Sequence, residues 1–388
     1  MNLFSVAARN VLRNKFRTTL TILGGAVAVL AFVLLRTVVD AWYVGVEAAA
    51  RDRLATRHKI SITMTMPKRY IDTIRETPGV KSATFLNWFG AKDPNDEDSF
   101  FANMAVDAPS LIEVLDEMSL TPEEKQRWLD DKAGAIMGDV LARKMKVKVG
   151  DRVTLRGTIY PGDWTFNVSG IYKATRRSLD RSQFFFHWDY LNEKLTDRRR
   201  DQIGWVMSRI DDPRRSAEIS AGIDKVFDEK DIQTATMSEK AMNNSFMATF
   251  SAVLTAMDVV SVIILAIMTM ILGNTIAMGV RERTTEYGVL RAIGFSPGHV
   301  RAFVLGEALT TGIITAIVGL CISYPIVQLG FGAFLEENLG GFFPYFRIKP
   351  TTAVMAVVLA IALAVFSSLL PAVRAGRLVV TDALRRVA

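Results

Sequence analysis

Residues Val259–Val280 read VVSVIILAIMTMILGNTIAMGV, 22 positions without a single Asp, Glu, Lys or Arg. At 1.5 Å of rise per residue a helix of that length reaches about 33 Å, enough to cross a hydrocarbon layer of about 30 Å. Unpaired backbone groups are so costly in lipid that a lone run of this kind crosses as a helix. Working outward, three more uncharged stretches appear: Thr18–Leu35, Ala308–Leu335 and Thr351–Val373, of 18, 28 and 23 residues. The fold class read from them is a membrane protein with four transmembrane α-helices. The chain of 388 residues is only 50% hydrophobic overall, close to a soluble protein, so the distribution of apolar residues decides and not their total. An ordinary soluble enzyme is excluded. So is an outer-membrane barrel, whose spans would be shorter and alternating.

Charge orients the spans. Arg9, Arg13, Lys15 and Arg17 precede the first. Arg281, Arg283, Arg291 and Arg301 lie between the second and third, with Glu282 and Glu286. Arg374, Arg377, Arg385 and Arg386 follow the fourth, with Asp382. Together these segments hold 12 basic and 3 acidic residues, whereas 51–245 holds 32 and 31. The positive-inside bias puts both termini and the 281–301 loop in the cytoplasm, and segment 51–245 and loop 336–350 outside. The basic balance therefore reports topology and contact with anionic membrane lipids, not nucleic acid. The first span is too long for a signal peptide, and the cleavage-like Ala48-x-Ala50 lies 13 residues beyond Leu35, so it reads as an uncleaved anchor. Its continuation Arg36–Arg57 has no Pro and is expected to extend the helix outward as a stalk. The lone Cys321 lies in the third stretch and reads as a small apolar filler.

The expected organisation is a cytoplasmic segment 1–17, the first span with its stalk 18–50, and an outer domain 51–245. A stalk and second span follow at 246–280, a cytoplasmic loop at 281–301, the third span at 302–335, an outer loop at 336–350, the fourth span at 351–373 and a tail at 374–388. The outer domain reads as mixed α/β, inserted between helices 1 and 2. Ile60, Ile62, Met64 and Met66 alternate as in a strand, and Pro67 suits the first turn of a helix. Strands are expected at Val80–Phe85, Phe100–Val106, Trp205–Ile210 and Ile232–Thr236, with a helix opening at Pro213. Two β-α-β units then bracket a β-rich lobe at about 135–175, which holds a helix at 139–146 and strands at Arg152–Leu155 and Trp164–Tyr172. The acidic run 93–98 lacks the glycine and terminal glutamate of a calcium loop and reads as solvated loop. No HExxH, paired cysteines or G-x-S-x-G occurs. No glycine is followed by lysine, so the phosphate-binding loop of an ATPase is missing from this sequence. The chain is expected to be non-catalytic, with no metal or cofactor of its own.

Several blocks are similar to MacB-like and FtsX-like permeases of ABC transporters. They are Leu12–Thr18 (LRNKFRT), Glu286–Gly294 (EYGVLRAIG), Gly306-Glu307-Ala308, Leu370-Pro371-Ala372, and Ala375 with Asp382–Arg385 (DALR). Gly138–Val153 resembles that family's extracytoplasmic core. The order is right and nearly the whole chain is covered. The resemblance is to the type VII permeases in a split form without a fused ATPase domain, as in the lipoprotein-releasing permeases. It implies four helices, a large periplasmic domain between the first two, and location in the inner (cytoplasmic) membrane. It further implies a dimer with a second permease copy or paralogue and a separate ABC ATPase subunit that holds MgATP. The implied mechanism is mechanotransmission, in which ATP-driven closure of the partner moves the helices as levers and changes the separation of the outer domains.

Within this picture Glu286, Tyr287, Arg291 and Gly294 are the candidate ATPase-coupling residues, because the loop is long enough for one short helix with Gly294 near its end. Asp258 and Glu307 are the candidate intramembrane polar residues; each lies near a membrane interface, and Arg301 stands six positions from Glu307. Gly24, Ala28, Gly312, Ala356 and Ala360 are candidate packing positions, either within the bundle or between two copies. Two functions from different classes follow. One is a permease subunit driving export or extraction of a small molecule, peptide, lipid or lipoprotein, with a periplasmic adaptor and outer-membrane channel or with a lipoprotein carrier. The other is an FtsX-like regulatory or signalling protein acting on periplasmic partners. The size of the outer segment favours transport.

Overall fold

The computed structural model describes residues 15–43, 49–96, 100–176, 179–196, 199–248, 250–338, 343 and 345–378. The expectations resting on Arg9, Leu12–Asn14, Asp382, Arg385 and Arg386 lie outside the described residues. Among the described residues, four helices are long and apolar enough to cross a membrane: Lys15–Trp42, Ser251–Glu282, Pro297–Glu336 and Pro350–Gly376. They form one compact unit, from the described parts of 1–40, 252–332 and 346–388; a second unit comprises 41–251 with 333–345.

The bundle is built on small residues. A side chain on Gly25 would come within 2.5 Å of Thr315 Cγ2, on Gly319 within 2.6 Å of Val29 Cβ, and on Gly312 within 2.8 Å of Ala364 Cβ. Ala28, Ala356, Ala360 and Ala364 are all buried in the same cluster as Phe32, Met268 and Leu272. Close backbone approach of this kind replaces the hydrophobic driving force that lipid cannot supply. Gly312, Ala28, Ala356 and Ala360 thus pack within one chain, and a side chain on Gly24 would lie 3.8 Å from Ile271 Cγ2 of the second helix. Hydroxyls in these apolar helices donate back to carbonyls one turn earlier, as Thr37 does to Val33 at 2.6 Å and Thr269 to Leu265 at 2.8 Å.

The second unit is a large mixed sheet with helices. Its principal strands are β1 Arg53–His58, β2 Val80–Trp88, β3 Asn103–Val106, β4 Gly134–Gly138, β5 Arg152–Gly157, β6 Gly162–Ala174, β7 Phe184–His187, β8 Trp205–Ile210 and β9 Thr234–Ser238. Their spatial order is β9-β1-β8-β2-β3-β7-β4-β6-β5. The two β-α-β units interleave. β1 pairs antiparallel with both β8 and β9, and β8 pairs antiparallel with β2. The helices are Tyr70–Arg75 in the first unit and Ser216–Phe227 in the second, with Ile219, Ile223 and Phe227 buried. Tyr70 stacks on Phe227 at 4.2 Å between ring centres.

Three expectations are corrected here. The helical stalk through Arg57 does not form: the first helix ends at Trp42, and Arg53–His58 is a strand. The alternating Ile60–Met66 is not a strand. Thr63 donates its N–H to Ser61 Oγ and Met64 to the Ser61 carbonyl, local turns that compete with a ladder, and Ile60 is 77% exposed. Pro67 instead pairs within a two-residue strand against Gln202–Ile203, so the helix starts at Tyr70. The β-rich segment 135–175 lies within the same sheet. β4 joins the main sheet through β7, which pairs parallel with β3.

Candidate docking site at the 281–301 end of the bundle

After Glu282 the backbone breaks at Arg283 (φ −102°, ψ 15°) and a separate helix of 9 residues, Thr284–Ala292, follows. Its end is set by Gly294 at φ +102°, a conformation that favours glycine. Gly294 N–H donates to the Arg291 carbonyl at 3.2 Å and Phe295 N–H to the Leu290 carbonyl at 3.0 Å, the paired bonds of a Schellman closure. The third membrane helix then starts with a capping box, in which Ser296 Oγ accepts the His299 N–H at 3.3 Å and His299 Nδ1 accepts the Ser296 N–H at 3.2 Å. Thus a short helix is held between two defined turns.

What seats this helix is buried. Tyr287 is 5% exposed and packs in a cluster with Ile276, Val300, Val304, Ala308, Ala372 and Ala375. Arg283, also buried, donates from Nη1 to Glu307 Oε2 at 2.8 Å and hydrogen-bonds the Tyr287 side chain. Burial, together with the Glu307 carboxylate, pushes the Tyr287 phenol up to about 12. Arg291 Nη1 donates to the Gly376 carbonyl at 3.2 Å, placing a cation on the C-terminal turn of the fourth helix. A side chain at Gly376 would come within 2.7 Å of Arg301 Nε, so Arg301 lies on that glycine and does not pair with Glu307. Arg17 bonds Glu282 at 2.5 Å and ties the first helix to the end of the second.

The four coupling candidates therefore separate. Tyr287 and Arg291 face inward and hold the helix to the bundle; Glu286 and Gly294 are exposed. Val289 (46% exposed) and Ile293 (68%) share the outward side with Glu286. The sequence reading did not reach Arg283, because its partner Glu307 lies 24 positions away. Its place directly after the second span was the available signal. Asp258 is exposed, with Arg36 Nη1 at 3.8 Å; Arg36 also lies 3.7 Å from Asp40, which accepts from Thr352 at 2.6 Å.

In the outer domain a second polar cluster joins the first and last strands. Arg53, at the start of β1, bonds Glu117 in a bidentate pair at 2.6 Å and Glu239, just beyond β9, also at 2.6 Å. Burial alone would lower the Arg53 pKa, but these carboxylates carry it above the ordinary arginine value. The chain segments that follow the first membrane helix and precede the second are thereby clamped together inside one domain.

Four spanning helices and an inserted α/β domain define a membrane permease architecture, and two family models cover most of it. The MacB-like periplasmic core domain matches residues 18–226 and the FtsX-like permease C-terminal domain matches residues 259–380. The chain belongs to the MacB-like and FtsX-like family of ABC transporter permeases. It is 24% identical over 354 residues to an uncharacterised ABC transporter permease of Methanocaldococcus jannaschii, covering 84% of each chain. It is 34% identical over 161 residues to the ABC transporter permease YtrF of Bacillus subtilis, covering 39% of this chain and 36% of that one. It is 22% identical over 279 residues to the lipoprotein-releasing system transmembrane protein LolE of Haemophilus influenzae, covering 66% and 65%. Among solved structures, the periplasmic region of MacB from Actinobacillus actinomycetemcomitans aligns at 8% identity and a TM-score of 0.38, covering 52% of this chain and 95% of that one.

Proposed function

We propose that this chain is the permease subunit of an inner-membrane ABC transporter, that it works as one of two permease copies or paralogues, and that a separate ATPase subunit docks on the helix Thr284–Ala292. On this reading MgATP is held by the partner, and both termini and the 281–301 loop face the cytoplasm. The observation that carries it is the split of that helix into an inward face pinned by Tyr287 and Arg283–Glu307 and an outward face of Glu286, Val289 and Ile293. A lever must be fixed at one side and accessible at the other. Motion of the partner would pass through Tyr287 and Arg283 into the third and fourth helices instead of being lost in a slack loop. The first and second helices continue into the segments clamped by Arg53, so their relative displacement would reach the outer domain as mechanical work. The substrate would be exported or extracted from the outer side without crossing the bundle. The similarity to a lipoprotein-releasing protein favours a lipid-bearing cargo.

The test is coupling. With the chain reconstituted beside its ATPase, Glu286→Lys together with Ile293→Asp should leave membrane insertion intact and abolish cargo-stimulated ATP hydrolysis. Unchanged stimulation in that variant would remove this helix from the mechanism.

A further inference from the structure

Between the second and fourth membrane helices lies a cavity of about 480 Å³. Its walls change character along their length. At one end stand Arg281 and Arg374, both exposed, and neither has a carboxylate partner among the described residues. Asn274 lies further in, and Met270, Ala277 and Leu370 make the wall apolar. From Met270 to Arg281 the second helix rises roughly 16 Å at 1.5 Å per residue. That is about half of a hydrocarbon layer of about 30 Å, the depth of one leaflet. The two helices do meet nearby: a side chain on Gly273 would lie 3.4 Å from the Ser367 carbonyl. Pro371, one turn on, supplies no N–H to that carbonyl.

We infer that this cavity is a binding site for one anionic phospholipid, its headgroup phosphate between Arg281 and Arg374 and an acyl chain along Met270, Ala277 and Leu370. Guanidinium groups match phosphate oxygens in geometry as well as charge. An acyl chain fits where a free phosphate has nothing to gain, because most of the wall is apolar. The neighbouring Thr284 also lines the cavity, and it begins the helix proposed above as the docking lever. A lipid here would therefore brace that helix from the bundle side, and the leaflet assigned to it, the cytoplasmic one, rests on that reading of topology.

The experiment is native mass spectrometry of the full chain purified in mild detergent and titrated with phosphatidylglycerol or phosphatidylcholine. Wild type should retain phosphatidylglycerol preferentially. Arg281→Gln with Arg374→Gln should lower that retention by roughly 30-fold, from two basic contacts at a membrane surface. Lys15→Gln with Arg377→Gln removes the same charge from outside the cavity and should leave retention within twofold. Ala277→Phe keeps both arginines and fills the apolar wall, and it too should abolish retention; inorganic phosphate should not compete. Equal retention of the two lipids, equal loss in both double variants, or phosphate competition with Ala277→Phe unaffected would overturn the proposal. Retention in detergent does not depend on which side the arginines face. A reversed topology, detected by labelling of single cysteines in whole cells, would change the leaflet and leave the site standing.

Discussion

Removing the Glu307 carboxylate should loosen the 284–292 helix by a predictable amount. Arg283 is 7% exposed and its Nη1 lies 2.8 Å from Glu307 Oε2. Breaking a fully buried pair costs about 3–5 kcal/mol. The Glu307 side chain is 22% exposed, so water screens part of the loss and about 2 kcal/mol is the better figure. A helix of 9 residues has almost no stability of its own, so the whole cost should appear as local opening. Two kcal/mol corresponds to roughly a 30-fold rise in the open population. In Glu307→Ala, hydrogen exchange of the 284–292 amides in the detergent-solubilised chain should accelerate by that factor, with strands β4 and β7 unaffected. Glu307→Gln, which keeps an acceptor, should give a smaller acceleration. Exchange within twofold of wild type in Glu307→Ala would mean that the Arg283–Glu307 pair does not hold the helix, leaving the packing around Tyr287 and the Arg291–Gly376 bond to do so.

Other outcomes follow from the same geometry. Because Tyr287 is held up to about 12 against about 10 in an unfolded chain, its contribution is complete below pH 10 and is lost as pH rises through 12. After correction for the intrinsic base-catalysed rate, protection of the 284–292 amides should therefore fall over that window, and Tyr287→Phe should remove that fall. Gly312→Val would force a side chain to within 2.8 Å of Ala364 and 3.3 Å of the Ala360 carbonyl, costing roughly 1–3 kcal/mol and lowering the detergent melting temperature. By contrast Gly222→Ala meets nothing within 4 Å and should be neutral or stabilising. Arg53→Met leaves Glu117, whose side chain is 2% exposed, with the more distant Arg176 at 3.6 Å, and should destabilise the outer domain by about 2 kcal/mol in a denaturant titration; adding Glu117→Leu should recover most of it.

Where a signal was one-dimensional, the sequence carried it. The four uncharged stretches became the four spanning helices because length and apolarity suffice for that in lipid. Gly294, Ser296 and Pro297 marked the turn between two helices because their local chemistry leaves little choice. β1 was illegible for the opposite reason. RLATRH looks polar, yet it lies between β8 and β9, and its first residue is buried only because two carboxylates distant in sequence meet it. The Ile60–Met66 alternation misled because Ser61 and Thr63 satisfy the backbone locally. The 284–292 helix was half legible. The family-like block Glu286–Gly294 located the helix, but which of its side chains turn inward depends on where the third and fourth helices converge. Tyr287 and Arg291 could be sorted from Glu286 only once Ala372, Ala375 and Gly376 were in place beside them.

The proposed function places a separate ATPase on residues 284–292. The most direct measurement places a single cysteine at Val289 in a Cys321→Ser background, cross-links it in cells, and assays ATP hydrolysis by the purified chain alone and by the cross-linked complex. The expected result is no hydrolysis by the chain alone and a cross-link from position 289 to a chain that hydrolyses ATP. Hydrolysis by the chain alone, or an intact ATPase complex that position 289 never cross-links, would contradict it.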